Sequence, residues 1–297
     1  MSSTSNTPKP KLACEIAADR VLAGRLTDNG DALEASAARE LAPGSVVPDL
    51  VENNLRQREA VRAGIEAALG TVAGRSKDVI AIVPDAAVRV MLVEFDTLPS
   101  DREEALSVVR FRLKKSLPFD VDKAKVSYHA QKFSDGVRVV AAVALTNVVE
   151  DYEAAFRDAG FNPGVVLPSM LAALGSADAK RPTLVVKVDA HTTSIAILNE
   201  DQLQLFRTLE NPRGVTITGE QLAEEVYPSV VFFQDTYRLN IERIYVAGLP
   251  ESGGAAPALR AQTGAEVQEL VASSQLGTNS GPVPRWRMAG VVGALIS

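Results

Sequence analysis

The sequence predicts an α/β protein of two halves, on three observations. Short β-branched strands alternate with amphipathic helices along the chain. The segment from Ala177 to Pro182 is small, charged and proline-terminated, which is the composition of a linker, and a new set of strands begins at Thr183. Both halves also open alike: Leu12 to Thr27 and Leu184 to Leu198 each read as strand, tight turn of small or polar residues, strand. Pattern alone fits either an internal duplication or a chance match between two hairpins.

In the first half, alternation marks strands near Leu12 to Ile16, Val21 to Thr27, Val79 to Pro84 and Val88 to Phe95, with helices between and after them. Ser100 to Glu103 has capping-box spacing and starts a helix whose apolar stripe is Leu106, Val109, Leu113 and Leu117. Lys114 and Lys115 suit its last turn, and Pro118 stops it. Two strands follow, Lys125 to Phe133 and Val137 to Leu145, turning at Ser134, Asp135 and Gly136. A helix from Val148 to Ala159 ends at Gly160, and a short strand runs from Val165 to Leu167 before a helical piece ending near Ala173. In the second half, Leu184 to Val188, Ser194 to Leu198 and Gln204 to Leu209 are strands. A helix follows from Thr218 to Leu239 despite Pro228, then a strand from Ile244 to Ala247.

Composition bounds the function. The 297 residues are 46% hydrophobic, enough to bury two cores and too much for a disordered chain. There are 31 lysines and arginines against 37 acids, a net charge of −6 that argues against a general nucleic-acid surface. A lone cysteine, Cys14, forms no internal disulfide, and with His129 and His191 as the two histidines no multi-Cys/His zinc site can be assembled. No apolar run reaches the roughly 18 to 20 residues of a membrane-spanning helix. Met1 to Lys11 lacks the apolar stretch of a signal peptide, so a cytoplasmic protein with a disordered tail over residues 1–10 is expected.

Taken in order, several segments resemble the PilM family of actin-like type IV pilus assembly proteins, related to FtsA and to the cytoplasmic part of GspL. The most specific stretch runs from Ala81 to Phe119: Ile82, Val83 and Pro84 lead into a strand, then come Leu98 and Pro99, the capped helix, and Leu117, Pro118 and Phe119. Ala141 to Thr146, Val149 to Tyr152 and Ala159 to Pro163 resemble the return to the first domain. Leu184 to Leu209 resembles the hairpin opening the second, Ile241 to Gly248 the strand entering an adenosine-side loop, and Met288 to Ile296 a terminal helix. The resemblance implies an actin-like, ribonuclease H-like two-domain fold with a small inserted α+β subdomain. On it, residues 11–180 form the first domain, with the insert at about 85–146, and 181–297 the second, whose last helix, about 288–296, packs back on the first.

The family clamps a nucleotide between two hairpin turns, and the resemblance carries those roles to named positions. Glu15, Ala17, Arg20, Lys187, Asp189, Thr193 and Gly248 would surround the nucleotide if one binds. The first turn, Glu15-Ile16-Ala17-Ala18-Asp19-Arg20-Val21-Leu22, keeps a carboxylate but has Ala17 for the family's glycine, Asp19 among its hydroxyls and Leu22 for its lysine. In the second turn Lys187 replaces the family aspartate and Asp189 its glycine. On the adenosine side Leu249 replaces the second of two glycines. Three loops have each lost a glycine or charge, so weak or absent ATP binding is expected, with no cofactor, no metal site and no catalytic residues.

Other constellations are read plainly. Glu103 with Glu104 and Glu224 with Glu225 point apart on their helices and read as solvated faces. Trp286 reads as a packing anchor, and no nucleophile elbow or Ser-His-Asp set is present. Arg110, Arg112, Lys114 and Lys115 read either as a solvated face that benefits from the helix dipole or, with Phe119, as a docking patch for an acidic partner or anionic lipid. The resemblance implies a cytoplasmic scaffold at the inner membrane. It would bind the N-terminal cytoplasmic peptide of a PilN-like membrane protein in a groove lined from Val79 to Phe119, and pair with a pilus motor ATPase. Two alternatives stay open: an active ATPase or kinase using Glu15 and Asp189 for magnesium with Arg20 or Lys187 on phosphate, and a GspL-like component of a type II secretion system.

Overall fold

The computed structural model describes residues 9–134, 136–250, 254–278 and 280–297. Most of the expected tail, residues 1–8, and Asp135 of the expected turn lie outside them. Lys9, assigned to that tail, is placed: its ammonium donates to the Leu295 carbonyl at 3.0 Å, a cation on the open end of the last helix.

The first sheet contains β1 (Leu12–Ile16), β2 (Arg20–Leu26), β3 (Leu33–Glu40), β4 (Asp78–Val83) and, later in the chain, β8 (Asn162–Pro168), in the order β3-β2-β1-β4-β8. Every residue of β1 is buried, as a strand covered on both faces requires. Helix α1 (Arg58–Val72) covers one face with Val61, Ile65, Ala68, Leu69 and Val72, and α3 (Thr146–Asp158) adds Val148, Tyr152 and Phe156.

The second half repeats this order. Strands β9 (Thr183–Val188), β10 (Thr192–Asn199), β11 (Gln202–Glu210), β12 (Arg243–Ala247) and β13 (Glu266–Glu269) are arranged β11-β10-β9-β12-β13, with α5 (Gly219–Tyr237) and α6 (Ala255–Thr263) packed on one face. Thr218 and Gln221 close a capping box at the start of α5, and Pro228 is accommodated within the helix. The two opening hairpins are alike in register: Glu15 pairs with Leu22 and Ile16 with Val21, as Lys187 pairs with Ser194 and Val188 with Thr193.

Between β4 and α3 the chain builds a third sheet, β5-β7-β6, from β5 (Arg89–Phe95), β6 (Ala124–Phe133) and β7 (Gly136–Leu145). Helix α2 (Arg102–Leu113) buries Val109 and Leu113 against Val139, Ala141 and Val143. Its cap is Asp101 rather than Ser100: the Asp101 carboxylate accepts from the Glu103 and Glu104 amides, both at 3.0 Å. Asp101→Ala is expected to cost about 1 kcal/mol of stability in urea unfolding, whereas Ser100→Ala is expected to change little.

Helix α4 (Ser169–Ala173) and the terminal helix α7 (Ala289–Ile296) complete the frame. Helix α7 packs on α4 and the first sheet, and its residues join Ala13, Leu22 and Ile82 of the first half with Val185, Ala196 and Tyr245 of the second in one apolar cluster. The two sheets therefore share a core, and the two hairpin turns meet above it.

Candidate functional site

The turns Ala17 to Arg20 and Asp189 to Thr192 are closed by the same bond, from the first residue's amide to the last residue's carbonyl, at 2.8 Å in each. Facing across the gap, they bring together four residues expected from the sequence. The Lys187 ammonium bonds to Asp189 Oδ2 at 3.0 Å and pairs with Glu15 Oε1 at 3.3 Å. The Arg20 guanidinium holds Asp189 Oδ1 at 3.1 Å with one nitrogen and both oxygens of Asp19 at 2.7 and 2.8 Å with another. Glu15, Arg20, Lys187 and Asp189 are all buried. Each half contributes a cation and an acid, so the lattice ties the halves together.

The electrostatics follow from that arrangement. Burial pushes the Asp189 carboxyl up, but Lys187 and Arg20 together outweigh burial and bring it down to about 2. Burial disfavours the Lys187 ammonium, yet Asp189, Glu15 and Asp85 reverse that and raise it above the ordinary lysine value. Arg20 is raised as well, Asp189 and Asp19 overcoming its own burial. The lysine thus remains charged in a site where an unpaired ammonium would not, and the arginine's charge is matched by its two acids.

A further residue belongs to this site and was not anticipated. Asp85 follows β4, is buried, and accepts from the Met170 amide at 2.8 Å and the Ser194 hydroxyl at 2.7 Å, linking the first half to the second. Burial raises its carboxyl, against the pull of Lys187. The signal available in the sequence was an acid directly after the apolar run Val79 to Pro84. Ser169, whose hydroxyl bonds to Glu15 Oε1, carried no such signal.

The remaining nucleotide candidates do other work. Ala17 is a buried turn residue. Thr193 lies outside the lattice: its hydroxyl accepts from the Asn211 side-chain Nδ2 at 3.0 Å and donates to Glu225 at 3.3 Å, which also makes Glu225 a partner rather than a solvated acid. Gly248 has φ +83°, and a Cβ there would run into the Val188 carbonyl oxygen; its own amide donates to the Trp286 carbonyl at 2.8 Å. Its close approach is to the neighbouring strand of the same chain. Behind Glu15, Gly290 of α7 leaves space for the carboxylate, whose Oε2 is buried without a hydrogen-bond partner among the described residues.

The expected partner-binding set does not come together. Arg110 is not a solvated cation but donates to the Val121 and Ala124 carbonyls at 2.8 and 3.1 Å, stapling α2 to the start of β6. Phe119 is half-buried between two core clusters. Arg112 is exposed near the end of α2, and Lys114 and Lys115 are exposed just past it. None of the five lines the cavity of about 790 Å³ beside the turns. That cavity lies between the loop Val47 to Val51, the segment Pro84 to Val90 and the strand end Phe206 to Pro212, so its walls come from both halves and the insert.

One wall is a strand edge that pairs with no further strand among the described residues. Strand β11 is at the edge of its sheet. The Asn211 amide donates to His191 O, so by antiparallel alternation Leu209, Arg207 and Leu205 face β10 while the peptide groups of Phe206, Thr208 and Glu210 face outward. At the start of the same edge the Gln131 carboxamide donates to Leu203 O at 2.6 Å and accepts from Leu203 N at 3.2 Å, as a neighbouring peptide group would.

Among the described residues, no group of three or more His, Cys, Asp or Glu is arranged to hold a metal ion, and no helix is long and apolar enough to cross a membrane. No protein-family model matches the sequence, and no curated protein matches it. Solved structures do. A PilM-PilN type IV pilus biogenesis complex matches at a TM-score of 0.79 and 20% identity over 97% of this chain and 98% of that one. The cytoplasmic domain of EpsL, an inner membrane component of the type II secretion system of Vibrio cholerae, matches at 0.52 and 12% identity, covering 96% and 92%. A Bacteroides thetaiotaomicron protein of actin-like ATPase fold and unknown function matches at 0.51 and 10% identity, covering 90% and 93%. The chain has the actin-like fold.

Proposed function

We propose that this chain is a nucleotide-independent actin-like scaffold of a type IV pilus-type inner-membrane assembly, docking an extended cytoplasmic segment of a membrane-anchored, PilN-like partner. The observation that carries the reading is that both cations between the two turns are already taken up by carboxylates of the chain. A magnesium triphosphate needs free carboxylate or water oxygens for the metal and free amides or cations for the phosphates. Here Lys187 is held by two of the carboxylates and Arg20 by two, four acids surround two cations, and Asp189 stands at the turn where phosphate would approach. These residues do not fit that ligand. Their ion pairs do within the chain what a bound nucleotide would do from outside, holding the halves together.

The cavity beside the turns supplies the docking site. Its β11 edge offers a template for strand addition, and Val47, Leu50, Val51 and Val90 give apolar walls for alternate side chains. The whole-length likeness to a PilM-PilN complex supports a pilus assembly over a secretion apparatus, because EpsL covers a similar share of the chain with a much poorer fit.

Two titrations test this. Millimolar MgATP is expected to leave the melting temperature unchanged, whereas ligand at about a hundred times its dissociation constant would stabilise by about 2.7 kcal/mol. An N-terminal cytoplasmic peptide of a PilN-like membrane protein is expected to bind saturably, and Thr208→Pro, which removes an outward amide and spares the β10 ladder, is expected to weaken it at least tenfold. A saturable ATP shift would restore the ATPase reading. Peptide binding indifferent to Thr208→Pro would remove the strand-addition mode, and no binding would remove the docking role.

A further inference from the structure

The exposed face of α2 is unlike the rest of the insert. Phe111 is 79% exposed and Val108, one turn before it, is 38% exposed. Neither is needed by the core, which takes Ala105, Val109 and Leu113 from the same helix. Arg112 follows Phe111 directly, Lys114 is the C-terminal cap residue of the helix and Lys115 lies in the turn beyond it. From Val108 to Leu117 there are four cations and no acid, in a chain of net charge −6. One of the four, Arg110, is turned inward onto carbonyls, and Lys114 lies at the long distance of 4.0 Å from Asp122. Arg112 and Lys115 are exposed.

We infer that this face of α2 is a membrane foot: Phe111 and Val108 enter the interfacial region of an anionic bilayer while Arg112, Lys114 and Lys115 meet its headgroups. An exposed apolar ring followed at the helix end by exposed cations matches a surface that is anionic outside and apolar a few ångströms in. An acidic protein segment would satisfy the cations and leave Phe111 in water. Acids flank the face at both ends, Glu103 and Glu104 in the first turn and Asp120 and Asp122 beyond the last. Contact is thereby confined to the middle and end of the helix and is weak enough to be reversible.

Co-sedimentation of the full chain with vesicles tests the assignment. Phosphatidylcholine vesicles containing phosphatidylglycerol are expected to bind the chain in a salt-sensitive way, and pure phosphatidylcholine vesicles are not. Arg112→Gln and Lys115→Gln are each expected to lower partitioning about fivefold. Phe111→Ser is expected to reduce it to the phosphatidylcholine level with an unchanged melting temperature, since the ring contributes nothing to the core. Failure to sediment with anionic vesicles would overturn the proposal, as would sedimentation unaffected by Phe111→Ser. Two other results would also overturn it, by assigning the face elsewhere: polyglutamate binding without vesicle binding, to an acidic protein partner, and Phe111-dependent self-association without lipid, to a second copy of the chain.

Discussion

Lys187→Met is expected to lower unfolding stability by about 3–5 kcal/mol, because it leaves Glu15 and Asp189 buried without the cation between them. Methionine fills most of the lysine stem's volume, so the loss measures charge rather than a cavity. Arg20 still neutralises one side of Asp189, whereas Glu15 retains the Ser169 hydroxyl alone among its bonds and keeps an orphaned Oε2. Adding Glu15→Gln to Lys187→Met is therefore expected to recover part of the loss, a coupling that independent sites do not show. The acid limb of the stability profile supplies the second readout. Asp189 is held at about 2 in the folded chain, against about 3.9 when unfolded. A depressed carboxyl stabilises in full above its unfolded value and loses that contribution as the pH falls through the folded one. The parent chain should thus lose about 2 kcal/mol between roughly pH 4 and pH 2 through this group. In Lys187→Met that limb should flatten, because the charge responsible for most of the depression is gone. A loss under about 1 kcal/mol in urea unfolding at neutral pH would show that the lattice does not hold the halves together.

How far this could be read in the sequence depended on where the information lay. Strands β1, β4 and β9 are almost wholly buried, so each is a predominantly apolar segment that stands out unaided. The insert was legible through its capped helix and the two strands after it. Strand β3, Leu-Glu-Ala-Ser-Ala-Ala-Arg-Glu, was not, being alanine-rich and half exposed; β13, Glu-Val-Gln-Glu, is a polar edge strand held by its pairing with β12. At the site, Glu15, Arg20, Lys187 and Asp189 were each identified, but each was weighed separately against what a phosphate needs. Their meaning is reciprocal: an acid precedes the first turn and a lysine the second, while an arginine ends the first turn and an aspartate begins the second. That cross-complement was written in the sequence. Asp85 was not found, because what defines it is a backbone amide at Met170 and a hydroxyl at Ser194, 85 and 109 residues away.

Gly248→Ala separates the two explanations for a glycine kept in a loop that otherwise departs from nucleotide-binding chemistry. If the glycine served a bound base, its loss would matter when ligand is present and little otherwise. In this fold it ends β12 beside the end of β9, with φ +83° and the Val188 carbonyl where a Cβ would go. A side chain there meets two penalties. The left-handed backbone costs an L-residue about 1–2 kcal/mol, and the collision is with backbone, so no rotamer relieves it. Relief would require moving Val188, which directly precedes Asp189, and so would loosen the aspartate's hold on Lys187 and Arg20. The expected loss is about 4 kcal/mol or more, among the largest single-residue effects, and it should be the same with and without MgATP. Because Asp189 lies in the affected turn, the acid limb between pH 4 and pH 2 should flatten together with the drop in melting temperature. Leu249→Ala, one residue on, removes a buried side chain without driving an atom into the Val188 carbonyl and should lower stability while leaving that limb intact. A Gly248→Ala chain with the parent's stability would overturn the structural account of the glycine. A loss seen only in the presence of MgATP would return the loop to nucleotide binding.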